Sequence, residues 1–151
     1  MKKNYKKNII LGLIIVLIDQ ITKYILIDKY ITVIPNFLKF TYTMNKGAAF
    51  GLGTPVIVLI VNILLVTVVA ILAYKYRGKL SNYIPITMIL AGGIGNLIDR
   101  LFRGFVIDFI DINLFNFPNF NVADIAICLG CFLLIIVLWK DENNVKKGGC
   151  S

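Results

Sequence analysis

The sequence contains no histidine, which removes the commonest general base and the commonest metal ligand from any mechanism. Serine occurs only as Ser81 and as the last residue, Ser151. Neither has a neighbour able to activate it, so a Ser-His-Asp or Ser-Lys hydrolase is nearly excluded. Glutamate occurs once, as Glu142, and cysteine three times. Cys128 and Cys131 form a CxxC inside an apolar stretch without charged neighbours and read as small core residues. Cys150, in the terminal KKGGCS, reads as a free thiol in a frayed tail. No second cluster supports a metal site or a disulfide framework. Any hydrolytic chemistry therefore falls to aspartate.

What the chain has in quantity is apolar surface. Hydrophobic residues make up 58% of its 151 residues and charged residues only 16%, with a mean hydropathy of +0.82. No soluble domain of this size buries that much apolar surface, so the composition indicates an integral membrane protein. Spanning a hydrocarbon core of about 30 Å takes about 20 apolar residues. Four segments meet that length: 8–27, 55–74, 83–101 and 121–139, within one domain covering 1–151. The first follows Lys2, Lys3, Lys6 and Lys7 like a signal peptide, but its apolar run is long, lacks a small-x-small exit and continues into Asp19, Gln20 and Lys23. It reads as a retained span.

Basic residues set the expected topology. Lys2, Lys3, Lys6 and Lys7, then Lys75, Arg77 and Lys79, then Lys140, Lys146 and Lys147 outnumber Lys29, Lys39, Lys46 and Arg103 in the alternate connections. The positive-inside rule places both termini and the middle loop in the cytoplasm and the other two loops outside. The net charge of +8 is then a topology signal with an affinity for anionic membrane lipid, and no nucleic-acid partner is expected.

The first outer loop, 28–54, contains FLKFTYTM, whose alternation with aromatic and β-branched residues predicts a strand or hairpin at the membrane surface. NKGAAFGLG (45–53) reads as a turn. The second outer loop, 102–120, mixes phenylalanines (Phe102, Phe105, Phe109, Phe115, Phe117 and Phe120) with polar groups and reads as an interfacial loop. The expected fold is an all-α membrane protein of four transmembrane helices with a small extracytoplasmic β-hairpin or loop region at the surface.

The scarce acids gather near AGGIGNLIDRLFRGFVIDFID (91–111) and FNVAD (120–124), at the ends of apolar segments, where ionisable groups default to a functional reading. Asp108 and Asp124 are 16 residues apart (108 to 124), and Gly104 and Pro118 let the intervening loop fold back. Two carboxylates sharing a proton form the aspartic-protease arrangement, one taking a proton from water and the other donating to the substrate carbonyl. Each also has a plainer reading: Asp124 at a helix N-terminus capped by Asn121, Asp108 and Asp111 as solvated loop charges. Only the joint pattern favours catalysis. Asn96, Asp99 and Arg100 share a helix face one turn beyond Gly92. Arg100 either binds a phosphate or peptide carbonyl or pairs with Asp99. Gly92 and Gly93 suit close helix packing, and Asp19 and Lys23, at i and i+4, suit a structural pair. A small transporter with an aspartate relay is the rival reading, but the acids cluster toward one membrane face and no internal repeat is visible.

DQITKYI (19–25), NKGAAFG (45–51), GGIGNLIDR (92–100), VIDFID (106–111) and FNVAD (120–124), in that order, resemble the lipoprotein signal peptidase family, also called signal peptidase II. The resemblance runs from the first span to the fourth and leaves only the second span and the tail without motif support. It implies an aspartyl endopeptidase of the bacterial inner membrane that removes signal peptides from prolipoproteins before their diacylglyceryl-modified cysteine. It implies no cofactor and no metal, and a monomer is expected. By position, Asp108 and Asp124 match the family's catalytic dyad. Asn96 and Asn121 match the asparagines beside it, and Asn45 and Arg100 match residues that hold substrate or the peptide inhibitor globomycin. Asp19, Lys23, Gly92 and Asp99 match supporting motif residues.

Overall fold

The structure is a computed structural model, and it describes residues 5–47, 53–75, 82–114 and 117–148, with side chains to 144. Lys2, Lys3, Ala48 to Gly51, Arg77, Lys79, Ser81, Phe115, Cys150 and Ser151 lie outside the described residues, as do the side chains of Lys146 and Lys147. Four helices, α1 (Tyr5–Ile25), α2 (Pro55–Lys75), α3 (Ile84–Phe102) and α4 (Val122–Gly148), alternate with three strands, β1 (Ile31–Ile34), β2 (Leu38–Asn45) and β3 (Val106–Ile112). All four helices are long and apolar enough to cross a membrane, so this is a multi-pass membrane protein. Their outer surfaces carry exposed Ile, Leu and Val throughout, which lipid tolerates and water does not. The expected spans are present, and α4 runs nine residues past its expected end (139 to 148), because DENNVKK contains no helix breaker.

The bundle is organised around α3, which packs on α4, α1 and α2, whereas α2 makes no comparable contact with α4. Small residues permit this, since helices in lipid associate through close backbone approach. A Cβ on Gly92 would stand 2.4 Å from the Ala123 carbonyl oxygen of α4, one on Gly95 2.7 Å from Asp19 Oδ2 of α1, and one on Gly93 2.7 Å from Val66 Cγ2 of α2. Three glycines of one helix thus face three neighbours. The expectation that Gly92 and Gly93 serve packing holds. Cys128 and Cys131, in contrast, are exposed on α4 and do not belong to the core. Helix α4 packs through Ala123, Ala126 and Gly130, and the CxxC is turned away from that face.

At one end of the bundle the strands form an antiparallel sheet in the order β1-β2-β3. The β1–β2 hairpin turns at Asn36, which adopts φ 60°, a conformation that asparagine tolerates better than most residues. The second outer loop differs from expectation, because 106–112 is a strand: Lys39 pairs with Asp111, Thr43 with Asp108 and Asn45 with Val106. VIDFIDI lacks a clean polar and apolar alternation because Val106 to Phe109 are all buried. Its strand character comes from pairing with β2, which no local pattern records. Asn45 ends β2 and its side chain accepts from the Gly47 N–H, as at the start of a turn; most of the turn expected over 45–53 lies outside the described residues. Gly104, at φ +79° with open space around it, makes the reversal between α3 and β3 that only glycine adopts without strain.

Candidate active site

Asp108 comes from β3 and Asp124 from the first turn of α4, and both line one cavity of about 620 Å³ between α2 and α4. Each carboxylate is held by amide donors. Asp108 Oδ1 accepts from Asn121 Nδ2 at 2.6 Å and Oδ2 from Asn45 Nδ2 at 2.8 Å. Asp124 Oδ1 accepts from Asn96 Nδ2 at 2.8 Å and Oδ2 from the Asn121 backbone N–H at 3.2 Å.

The asparagines are oriented by donors that cannot reverse. Asn45 Oδ1 accepts from the Gly47 N–H at 3.0 Å and Asn121 Oδ1 from the Asp124 N–H at 3.0 Å. Asn96 Oδ1 accepts from the Lys23 ammonium at 3.0 Å and from Asn121 Nδ2 at 3.3 Å. An amide whose oxygen is committed to an N–H or an ammonium must present its NH2 on the other side. All three NH2 groups therefore face the two aspartates. Asn121 and Asp124 also form a reciprocal cap at the start of α4, so the plainer reading of Asp124 as a helix-terminal acid is true together with its place in the site.

Burial pushes the Asp108 carboxyl up from 3.8 to about 6. Removal from water is the largest cause and the Asp124 charge adds to it, while the bonds from Asn45 and Asn121 and the Lys23 charge oppose it.

Beneath the dyad lies a buried charge cluster. Lys23 Nζ meets Asp19 Oδ2 at 2.8 Å and Asp99 Oδ2 at 2.9 Å, all three side chains fully buried. The expected Asp19 and Lys23 pair is present, and a third member joins it. The two acids anchor the elements that carry the dyad. Asp19 Oδ1 accepts from the Ala123 N–H of α4 at 2.9 Å, next in sequence to Asp124, and Asp99 Oδ2 from the Ile107 N–H of β3 at 3.2 Å, next to Asp108. Such a cluster is weak evidence for stability by itself; here it sets the relative position of two chain segments.

Arg100 does not pair with Asp99. Asp99 takes Lys23 and, one turn on, Arg103, while the Arg100 guanidinium points into the cavity and donates at 3.4 Å to the Asn96 and Gly47 carbonyls. These long bonds leave most of its five donors free for a ligand. Gln20 and Arg103 were missed in the sequence. Gln20 Nε2 donates to Asp99 Oδ1 at 3.0 Å and to Asp19 Oδ2 at 3.2 Å, and Gln20 Oε1 accepts from Arg103 at 3.0 Å. The signal for Gln20 was its polarity inside an apolar span. The signal for Arg103 was its i,i+4 spacing from Asp99; its bond to Gln20 of α1 carried none.

A second hollow, lined by Thr43, Lys46 and Asn119 among others, reaches Asp108 from the sheet side. Asp108 thus stands where a lipid-facing groove meets a polar surface opening.

Residues 11–140 match the family model described as signal peptidase (SPase) II. Proteins named lipoprotein signal peptidase from Staphylococcus aureus strains JH9 and Newman are 36% identical over 150 residues, covering 93% of this chain and 92% of theirs. Two solved structures, each described as a bacterial membrane enzyme determined by the in meso method, are 33% identical. One gives a TM-score of 0.82 over 95% of this chain and 93% of its own, the other 0.78 over 93% and 97%.

Proposed function

Because the chain belongs to the signal peptidase II family, membrane peptidases that cleave signal peptides from prolipoproteins, we propose that Asp108 and Asp124 are its catalytic dyad. The substrates are diacylglyceryl-modified prolipoproteins, cut before the lipidated cysteine. The observation that carries this reading is the pair of carboxylates on one cavity wall, each aimed by asparagine donors, at the head of a groove that opens sideways to lipid. A signal peptide is an apolar helix, and the space between α2 and α4 lets it enter from the bilayer while the mature chain leaves by the polar opening beside Asp108.

With the scissile carbonyl between the carboxylates, the ionised aspartate takes a proton from water, whose oxygen adds to the carbonyl carbon. The protonated aspartate donates to the carbonyl oxygen. Collapse breaks the C–N bond: the proton taken from water passes to the leaving cysteine amine, and the second aspartate recovers its own. One proton is shared throughout, so the ionisations belong to the pair. Arg100, free to reach a peptide carbonyl or a lipid oxygen, and Asn45, which spans β2 and Asp108, hold substrate. Asn96 and Asn121 orient the dyad; Asp19, Lys23, Asp99 and Gly92 support it. The chemistry needs neither metal nor cofactor, since the two carboxylates supply both the base and the acid.

We place both termini in the cytoplasm and the dyad at the extracytoplasmic face of the cell membrane, from the Lys and Arg bias, and take a monomer in membrane lipid as the working unit. The test is cleavage of a diacylglyceryl-modified prolipoprotein by purified protein. Asp108→Asn and Asp124→Asn are each expected to lose roughly 10⁴-fold in kcat/KM while keeping their fold. Normal cleavage by either variant defeats the assignment.

A further inference from the structure

Four residues line both the lipid-facing cavity and the polar hollow on the sheet side: Asn45, Asp108, Pro118 and Asn119. A chain that enters by the first and leaves by the second passes all of them. Asp108 belongs to the dyad, Asn45 is spent on Asp108 and the Gly47 N–H, and Pro118 has no polar side chain. Asn119 takes no part in the bonds that hold the dyad.

The Asn119 amide is held at one end. Its Nδ2 donates to Thr43 Oγ1 at 2.7 Å and to Thr41 Oγ1 at 3.1 Å, so both N–H donors are spent on β2. The planar amide then turns its oxygen away from those hydroxyls. That oxygen has no donor among the described residues, where the one unpaired side-chain atom shut off from water is Asn62 Oδ1. The Asn119 oxygen is therefore open to a probe the size of water. Its backbone is fixed as well, because Phe120, next in the chain, exchanges hydrogen bonds with Ile110 of β3 at 2.8 and 3.1 Å.

Thr43, which takes the shorter bond, is the cross-strand partner of Asp108, so Asn119 stands beside the chemistry. An extended peptide rises about 3.3 Å per residue. With the scissile carbonyl at Asp108, the first residues of the mature chain run past Thr43 and Asn119 into the polar hollow. Each brings a backbone N–H that gives up water on entering a half-buried site and costs free energy unless an acceptor meets it.

We propose that Asn119 is a substrate-binding residue on the leaving side of the dyad, whose amide oxygen accepts the backbone N–H of the residue that follows the lipidated cysteine. This rests on the peptidase reading and deepens it. The contact reads main chain, so every residue type except proline, which has no N–H, satisfies it.

The experiment measures kcat and KM of wild type and Asn119→Ala on a diacylglyceryl-modified substrate peptide, and on an analogue in which the N–H of the residue after the lipidated cysteine is replaced by an ester oxygen. The scissile bond is the same in both. The contact forms before the chemical step, so Asn119→Ala is expected to raise KM about five- to tenfold at nearly unchanged kcat. The ester should cost wild type the same factor and cost Asn119→Ala nothing further. A wild type indifferent to the ester overturns the proposal, and is what an Asn119 amide turned the other way, with its NH2 toward substrate, would give. Losses from variant and ester that simply add, or a variant that loses kcat and stability at unchanged KM, also overturn it and leave Asn119 as a tie between loop and sheet. The dyad reading fails separately, by a wild type that leaves the lipidated substrate uncut.

Discussion

Gly92→Ala is the sharpest test of how the helices aim the dyad. The added Cβ would stand 2.4 Å from the Ala123 carbonyl oxygen and 2.8 Å from Ile127 Cγ1, whereas ordinary contact begins near 3.4 Å. The closer neighbour is helical backbone and cannot rotate away, so the start of α4 must withdraw from α3 by about 1 Å (3.4 minus 2.4). Ala123 is next to Asp124. A withdrawal of that size stretches the 2.8 Å bond from Asn96 to Asp124 to about 3.8 Å, which is no longer a hydrogen bond. It also draws Asn121 from Asp108. Overpacking of this kind costs about 1–3 kcal/mol of stability, and a misplacement of about 1 Å costs about 10²-fold in rate. Purified Gly92→Ala in lipid nanodiscs should therefore remain folded at permissive temperature, unfold at a lower temperature and cleave a lipidated prolipoprotein about a hundredfold more slowly. Gly93→Ala is the control. Its Cβ meets the Val66 side chain of α2, which carries no member of the dyad, so stability should fall while the cleavage rate stays within a few fold. If Gly92→Ala turns over at the wild-type rate, or if Gly93→Ala loses as much, α3–α4 contact does not set the dyad geometry and the reasoning is wrong.

Acid should silence the enzyme near the shifted Asp108 value. Uptake of a second proton by the pair removes its ionised base; with the Asp108 carboxyl pushed up to about 6, kcat/KM should break near pH 6 and fall about tenfold per unit below it. Because the folded value lies above the ordinary 3.8, the neutral form favours the fold. This group's stabilising contribution is full below about pH 4 and lost as pH rises through about 6. Asn45→Ala, which removes a bond that opposes the shift, should move the activity break to higher pH; a break unmoved in that variant counts against Asp108 as the titrating group. Lys23→Met leaves the buried Asp19 carboxylate without its counter-charge, a loss of about 3–5 kcal/mol, and should fail to accumulate as folded protein. The double variant Asp19→Asn, Lys23→Met should recover expression but not full activity, since Asn96 loses the ammonium that orients it. Wild-type thermal stability in Lys23→Met would refute the anchoring role of the cluster.

How much of this was legible in the sequence depends on whether the cause was local. The spans were, because bilayer thickness converts directly into a length of apolar residues, and every helix contains its expected segment to within a few residues. Strand β2 was legible from its alternation. Strand β3 was not, because burial on both sides removes the alternation and its partner lies more than sixty residues away in sequence. The fates of Arg100 and Arg103 show the same limit. Both stand near Asp99 on one helix, and helical spacing by itself does not say that Asp99 takes Lys23 from α1 and Arg103, leaving Arg100 to the cavity.

By itself, then, the sequence determined the solvent of this protein, the number of its spans and the residue types available for catalysis. With no histidine and no serviceable serine, aspartate was the one acid–base choice left for hydrolysis, and its scarcity made Asp108 and Asp124 conspicuous. Those are consequences of composition and of short-range periodicity, which a linear chain carries in full. Only the tertiary structure decided which way each asparagine amide points, that buried Asp19 and Asp99 hold the segments bearing Asp124 and Asp108, and that α2 stands apart from α4 with a cavity between them. These are matters of ångström-scale direction between groups as much as 104 residues apart in sequence, and they come into being only when glycine-lined helices close on one another.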